Sequence, residues 1–340
     1  MKKKTVILAA LSVLTAACGA FGGCQKGVPE GEVSVYMPDG APALAFAKLL
    51  HEDTAEDKIA YRVVSPTVVQ TKVTNEEESK NADFCVLPVT AASKLIGNGE
   101  RYKLLATVTH GNLFLVSKDD TLSFTAENLQ SLQGKTVGVL QIKQVPGLTL
   151  KSILKSADIP YQELAQGVEV SAEKVNLKAL ASAADIAATE ADYFVIAEPA
   201  ASAQAAKGFH IVGDLQKMYG ADGQGNFGYP QAVLVAKSAF LDERAEWTED
   251  FLESVKESAA WLATASAETL VAAVSGHLED ENYATTLKAS LLTQTAIVGC
   301  GVRYAAAGDC KERVEGYLRG LQAVEAQSVT IPEEGFYWVR

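Results

Sequence analysis

The sequence predicts an α/β protein of two lobes with a helical C-terminal region. Segments of strand and helix character alternate along most of the chain, which is typical of parallel α/β sheets. The alternation forms two runs, 33–117 and 122–237, so we expect two sheets rather than one. After residue 241 the apolar residues follow a helical period to about residue 326.

The beginning of the chain has the layout of a bacterial lipoprotein leader. Lysines at 2–4 precede an apolar run, 6–14, that is too short to span a bilayer. Small residues then lead to Cys18, whose thiol is the expected lipidation site. Cys24 is the poorer alternative because the bulky Phe21 stands three places before it.

The leader predicts where the mature protein lies. We expect a signal peptide over 1–17 and a flexible Gly-rich tether over 18–32. Lipid on Cys18 would hold the chain at the outer face of the cell membrane. The alternative is an ordinary secreted protein with a coincidental cysteine.

In the first run, short alternating strands are followed by turn residues and short helices. Pro42, for example, suits the first turn of a helix. The predicted strands are 33–37, 59–64, 84–87, 102–108 and 113–117, and the predicted helices are 43–50, 67–73 and 91–96.

The second run repeats the alternation with longer loops. Its predicted strands are 135–140, 192–197, 210–212 and 231–237, with a strand edge near 168–175. Its predicted helices lie within 122–132, at 150–157, in the Ala-rich segment 177–184 and after residue 199.

Composition excludes several classes of function. The 340 residues carry a net charge of −12, which argues against nucleic acid as a partner. Five cysteines are too few for a disulfide scaffold. Cys85 lies in an apolar strand and reads as an inert buried thiol, whereas Cys300 and Cys310 could pair in an oxidising compartment. They lack the partners that a zinc site needs, so no metal is expected.

Five loops follow predicted strands, where ligands bind in open α/β sheets. Several of these loops precede helices, whose free N–H groups favour polar ligand groups. Each could be a simple connection, but together they favour a binding cleft. The loops are 39–42, 88–91, 110–112, 144–149 and 198–201.

Signals of catalysis are weak. The sequence has no G-x-S-x-G, H-E-x-x-H or P-loop motif. Of its four histidines, only His110 falls in one of these loops. We therefore expect neither a catalytic residue nor a cofactor.

Four segments resemble the solute-binding lipoproteins of ABC importers, in the branch that handles nitrate, sulfonates and thiamine-pyrimidine precursors. They are Met-Pro-Asp-Gly-Ala-Pro-Ala-Leu at 37–44, Cys-Val-Leu-Pro-Val-Thr-Ala-Ala at 85–92, Lys-Thr-Val-Gly-Val at 135–139 and Ala-Glu-Pro at 197–199. The resemblance implies a type II periplasmic-binding fold, whose two lobes trap a ligand by hinge closure. It also implies an ABC permease as partner.

The resemblance further implies lobe boundaries and ligand residues. Lobe 1 would comprise 33–112 and 229–340, and lobe 2 would comprise 113–228. Tyr229, where the chain crosses back, could stack on a flat ligand. The matching ligand positions are Asp39, Gly40, Ala41, Thr90, Ala91, His110, Asn112, Gln144, Gly147, Thr149 and Glu198.

The loops lack an arginine, and Lys143 is the one cation near them in the sequence. This favours a neutral or weakly polar heterocycle, or a small zwitterion, over nitrate or a sulfonate. Two other functions stay open. One is an enzyme of the same fold acting on a pyrimidine or related metabolite, although the leader argues against a cytosolic enzyme. The other is a ligand-sensing receptor.

Overall fold

The computed structural model describes residues 31–54, 58–181, 183–220 and 228–340, with only the backbone of 183 and 184. The expected signal peptide, Cys18 and Cys24 lie outside the described residues. None of the described helices is both long and apolar enough to cross a membrane.

The strands of the described chain form two mixed sheets, which confirms the α/β class. The strands are β1 Val33–Pro38, β2 Ile59–Val64, β3 Phe84–Pro88, β4 Tyr102–His110, β5 Leu113–Ser117, β6 Thr136–Leu140, β7 Tyr161–Glu163, β8 Val175–Leu180, β9 Tyr193–Ala197, β10 His210–Asp214, β11 Pro230–Lys237 and β12 Val302–Ala306. The first sheet has the order β12-β4-β11-β3-β1-β2, and the second has the order β10-β5-β9-β6-β8-β7.

Helices cover the sheets and make up most of the C-terminal region, as predicted. They are α1 Ala41–Leu44, α2 Ala47–Glu52, α3 Val89–Leu95, α4 Val145–Ser156, α5 Ala200–Ala205, α6 Leu215–Tyr219, α7 Ser238–Glu243, α8 Ala245–Trp261, α9 Ala267–Gly276, α10 Gln294–Gly299 and α11 Ala307–Val324.

Strand directions bring the predicted loops to the facing edges of the two sheets. β11 runs antiparallel to both β3 and β4, so β3 and β4 end at the same edge, where Pro230 pairs with His110. In the second sheet, Leu113 at the start of β5 pairs with Ala197 at the end of β9. The chain crosses between these edges at 111–112, which places that short link beside the loop after β9.

The Ala-rich segment 177–184 was predicted as a helix, and this was wrong. Its first half belongs to β8, which pairs in parallel with β6 and buries Val175 and Leu177. Pairing with two neighbouring strands outweighs the helical preference of alanine and leucine, since propensity is a weak determinant beside packing.

Other differences are smaller. The segments 67–73 and 122–132 contain only short 3-10 turns, Val69–Lys72 and Leu129–Leu132. The parallel edge strand of the second sheet is β7, upstream of the predicted edge at 168–175, and Val175 begins β8. β12 was not predicted, because its sequence Val-Arg-Tyr-Ala-Ala lacks a clear apolar alternation.

Cys300 and Cys310 are not bonded, so the expectation that they could form a disulfide is wrong. Both thiols are free and buried. Cys300 belongs to the apolar cluster that contains Phe84, whereas Cys310 belongs to the cluster that contains Leu87. Successive strand residues point to opposite faces, and the sheet therefore separates the two thiols.

The last helix, α11, connects the two lobes. It packs on β4 of the first sheet and on α4 of the second lobe. The Tyr317 hydroxyl lies 2.7 Å from Thr149 Oγ1, and Lys155 donates to the carbonyl oxygen of Ala323 at 2.6 Å. The C-terminal region is thus part of the contact between the lobes.

Candidate functional site

Asn112 and Glu198 lie side by side where the two sheets meet. The Glu198 amide donates to the Asn112 carbonyl at 2.9 Å, and Asn112 Nδ2 faces the Glu198 carbonyl at 3.5 Å. Asn112 is only 4% exposed, and its Oδ1 is buried with no hydrogen-bond partner among the described residues. An unmet buried acceptor costs about 1–3 kcal/mol, so a ligand that donates to this atom would recover that cost.

The Glu198 side chain is a buried carboxyl at the same place. It is 4% exposed and accepts hydrogen bonds from the Ser202 amide at 2.9 Å and the Ser202 hydroxyl at 2.8 Å. Burial raises the pKa of Glu198, and the two bonds from Ser202 partly oppose that rise. The carboxyl is thereby held in one orientation at the start of α5.

Gly299, at the end of α10, brings the first lobe against this carboxyl. A Cβ on Gly299 would lie 3.0 Å from Glu198 Cγ and 3.4 Å from Phe114 Cζ. The absent side chain therefore allows close approach of the two lobes. We name Asn112, Phe114, Glu198, Ser202, Gly299 and Cys300 the junction cluster.

The Cys300 thiol of this cluster has low reactivity. Burial and the nearby Glu198 carboxylate raise its pKa well above the usual thiol range. A thiol with a raised pKa forms little thiolate, which is the reactive species.

His110 is neutral at physiological pH. Its Nε2 lies 3.1 Å from Thr107 Oγ1, and the ring is buried. Burial, and then the charges of Arg313 and Arg303, lower its pKa to about 3. Arg313 comes from α11 and Arg303 from β12, a strand that the sequence analysis does not predict.

Lys143, the cation that the sequence analysis indicated, forms ion pairs within the protein. It forms ion pairs with Glu163 at 2.9 Å and Glu325 at 3.4 Å. Glu163 also receives a 2.6 Å hydrogen bond from the buried Lys151. This network joins α4 to the residue after α11 rather than leaving a cation for a ligand.

The Asp39 carboxylate is occupied within the protein. It accepts hydrogen bonds from the Tyr283 hydroxyl at 3.1 Å, the Thr285 hydroxyl at 2.6 Å, and the Thr286 amide and hydroxyl at 2.7 and 2.8 Å. Burial and Asp39 together raise the pKa of Tyr283 to about 12. Asp39 therefore fastens the 283–286 loop to the end of β1.

The neighbouring predicted residues form the starts of helices in the first lobe. Gly40 has φ +97°, a conformation that favours glycine, and it turns the chain into α1, where Ala41 is buried. Thr90 and Ala91 are buried in the first turn of α3, and the Thr90 carbonyl accepts from the Ser93 hydroxyl at 2.9 Å.

In the second lobe, two of the predicted residues serve the packing of α4. A Cβ on Gly147 would lie 2.0 Å from the Ile142 carbonyl oxygen, so only glycine fits there. The Thr149 hydroxyl donates to the Val145 carbonyl at 2.6 Å and also contacts Tyr317. Gln144 is exposed just before the helix.

Tyr229 is fully buried by other aromatic rings. It stacks on Tyr317 with centroids 5.3 Å apart and meets Tyr219 edge-on at 5.5 Å. Its hydroxyl accepts from the Leu113 amide at 3.3 Å. We therefore no longer expect Tyr229 to stack on a ligand, and we assign it to the packing of the crossing segments.

A cavity lies beside the junction cluster on the second lobe. Its volume is about 620 Å³, within the range of small-molecule sites. Phe114 belongs to both the cavity and the cluster. The lining residues are Phe114, Ser123, Phe124, Thr125, Ala126, Glu127, Ile211, Val212, Gly213, Asp214, Lys217 and Met218.

No protein-family model and no curated protein matches the sequence. Solved structures do share its fold. An ABC transporter protein from Parabacteroides distasonis is 21% identical, with a TM-score of 0.68 over 91% of this chain and 99% of that chain. The periplasmic aliphatic sulphonate binding protein SsuA from Escherichia coli is 14% identical, with a TM-score of 0.61 over 92% of each chain.

The periplasmic nitrate-binding protein NrtA from Synechocystis PCC 6803 is 12% identical, with a TM-score of 0.56 over 91% of this chain and 85% of that chain. The likeness in each case covers about nine-tenths of this chain. The described chain therefore has the two-lobed α/β fold that is found in binding proteins of ABC transporters.

Proposed function

We propose that this protein is an extracytoplasmic solute-binding protein that delivers a small molecule to an ABC importer. Lipid on Cys18 would hold it at the outer face of the cell membrane. The lobes would be 33–112 with 229–340, and 113–228, and the ligand would be captured between them.

The observation that carries the proposal is the unmet acceptor of Asn112 at the meeting edge of the two sheets. Nearly all buried polar atoms in proteins have a partner, so an orphaned one between two lobes calls for an explanation. A ligand held between the lobes supplies one. The adjacent cavity and the close approach of Gly299 to Glu198 give that ligand room on one side and cover on the other.

The chemistry of the junction favours binding over catalysis. His110, with its pKa of about 3, cannot serve as a base that titrates near neutral pH. The raised pKa of Cys300 makes it a poor nucleophile. We therefore expect the site to recognise a solute and release it unchanged.

Native mass spectrometry of the full-length protein, purified in detergent, tests the proposal. A binding protein should carry a co-purified solute or bind one from a panel of vitamins, amino acids, nucleobases and sulfonates. A ligand at 100 times its Kd stabilises the folded state by about 2.7 kcal/mol, which thermal unfolding detects readily. The proposal fails if no solute co-purifies and no compound raises the unfolding temperature.

A further inference from the structure

Two buried side-chain oxygens near the junction, Asn112 Oδ1 and Gln231 Oε1, have no hydrogen-bond partner among the described residues. Asn112 Nδ2 lies 3.5 Å from the Glu198 carbonyl oxygen, and Oδ1 is on the other side of the amide. Gln231 lies at the same edge of the first sheet, one residue after Pro230, which pairs with His110.

Glu198, whose backbone amide is hydrogen-bonded to Asn112, brings a carboxyl group to the junction. The described hydrogen bonds of the Glu198 carboxyl come from Ser202 alone, and Ser202 is uncharged. The charges of Arg303 and Arg313 act on His110, and the charge of Asp214 acts on Arg303. Among the described residues, no cation contributes to the pKa shift of Glu198.

An anionic ligand fits these atoms poorly. Nitrate, and sulfonates without an amino or hydroxyl group, offer only acceptor oxygens, so they would leave Asn112 Oδ1 unmet. They would also place a negative charge beside a buried carboxylate, where repulsion is strong because water is excluded. A ligand with N–H groups would satisfy the acceptors, and a positive charge on it would pair with Glu198.

Phe114 adds an apolar surface to the same place. It is half-buried, it approaches Gly299, and it lines the adjacent cavity. An aromatic ring beside a carboxylate suits a cation with a flat or apolar body.

We infer that the ligand presents N–H donors, as a protonated amine, amidine or amino-heterocycle, to Asn112 Oδ1 and the Glu198 carboxylate. The inference rests on the proposed function, because it assumes that the junction cluster binds a solute. It separates this chain from a receptor for inorganic anions or sulfonates.

Three probes of similar size test the ligand class by titration calorimetry on the full-length protein at pH 7. Benzamidine is a cation with N–H donors, phenyltrimethylammonium is a cation without them, and benzenesulfonate is an anion. We expect benzamidine to bind at least tenfold more tightly than either of the others. Asn112→Leu and Glu198→Gln should each weaken benzamidine binding at least tenfold, while Glu169→Gln, which removes an exposed charge of the same lobe, should not.

Several outcomes would overturn the inference. If benzenesulfonate binds as tightly as benzamidine, the ligand class is wrong but the proposed function stands, and Arg303 and Arg313 become the anion site. If the probes fail to bind, native mass spectrometry decides: a co-purified solute with N–H donors supports the inference, and a co-purified anion refutes it. If nothing binds and nothing co-purifies, the proposed function fails as well. Thermal unfolding of each variant shows whether it is folded.

Discussion

Replacing Asp39 distinguishes a ligand-binding carboxylate from one that holds the protein together. The resemblance to binding proteins implies a ligand role, whereas the structure shows four hydrogen bonds from the 283–286 loop. Three of these bonds end on Oδ2 and one, from the Thr285 hydroxyl, ends on Oδ1. Two replacements, Asp39→Ala and Asp39→Asn, remove different numbers of these hydrogen bonds.

The expected losses follow from those contacts. A hydrogen bond to a charged group contributes about 1.5–3 kcal/mol, but the donors here lie in partly exposed residues and can turn to water. We therefore expect Asp39→Ala to lower the free energy of unfolding by about 3 kcal/mol. Asp39→Asn should cost only about 1 kcal/mol, because its amide oxygen can replace Oδ2 and its amide nitrogen can donate to the Thr285 hydroxyl.

Urea unfolding measured by tryptophan fluorescence gives these values. Trp247, Trp261 and Trp338 all pack in the first lobe, on the same apolar cluster as the start of β1 and α1. Glu281→Ala, an exposed change in the neighbouring loop, is the control and should leave stability unchanged. The reasoning is refuted if Asp39→Asn keeps full stability but abolishes solute binding, since the carboxylate would then be a ligand group.

Three further predictions concern stability, pH and the membrane anchor. Gly316 lies in the exposed middle of α11 with open space for a methyl group, so Gly316→Ala should raise the free energy of unfolding by about 0.5–1 kcal/mol. Gly147→Ala, in contrast, should prevent stable folding. Circular dichroism during heating compares the two variants. The pKa of His110 is lowered in the folded state, so the free energy of unfolding should decrease as the pH drops from about 6.5 towards about 3. His110→Gln should make this decrease smaller, as measured by unfolding curves at a series of pH values. Cys18→Ala should move the protein out of the membrane fraction while Cys24→Ala should not, and the reverse pattern on blots of fractionated cells would assign the lipid to Cys24.

Local sequence patterns were enough to predict the elements whose own residues have a clear apolar or turn pattern. Strands such as β1 and β3 read as short apolar segments followed by proline, and both were predicted within a residue or two. Segments without such a pattern could not be predicted reliably from local sequence. The alanines of 177–184 favour a helix in isolation, but β8 forms because β6 and β7 pair with it on both sides.

The candidate site could be predicted only in part. Asn112 and Glu198 follow strands, and the rule that ligands bind at strand ends finds both of them. The same rule also selects Asp39 and Thr149, whose side chains form hydrogen bonds within the protein. Tyr229, chosen because the chain crosses between the lobes there, is buried against other aromatic rings. Loop position cannot tell these cases apart, because the partners come from segments far away in the sequence.

The sequence by itself determined the alternation of strands and helices, its division into two runs, and the lipoprotein-like leader, since each depends on residues close together in the chain. The folded chain places β5 of the first run in the second sheet and β11 of the second run in the first sheet. The tertiary structure decided which loop residues keep an unmet polar atom. It brought Gly299 against Glu198, set Cys300 and Cys310 on opposite faces of a sheet, and placed Arg303 near His110. These outcomes depend on burial and on partners contributed by β12, α10 and α11, which meet the earlier strands only when the chain is folded.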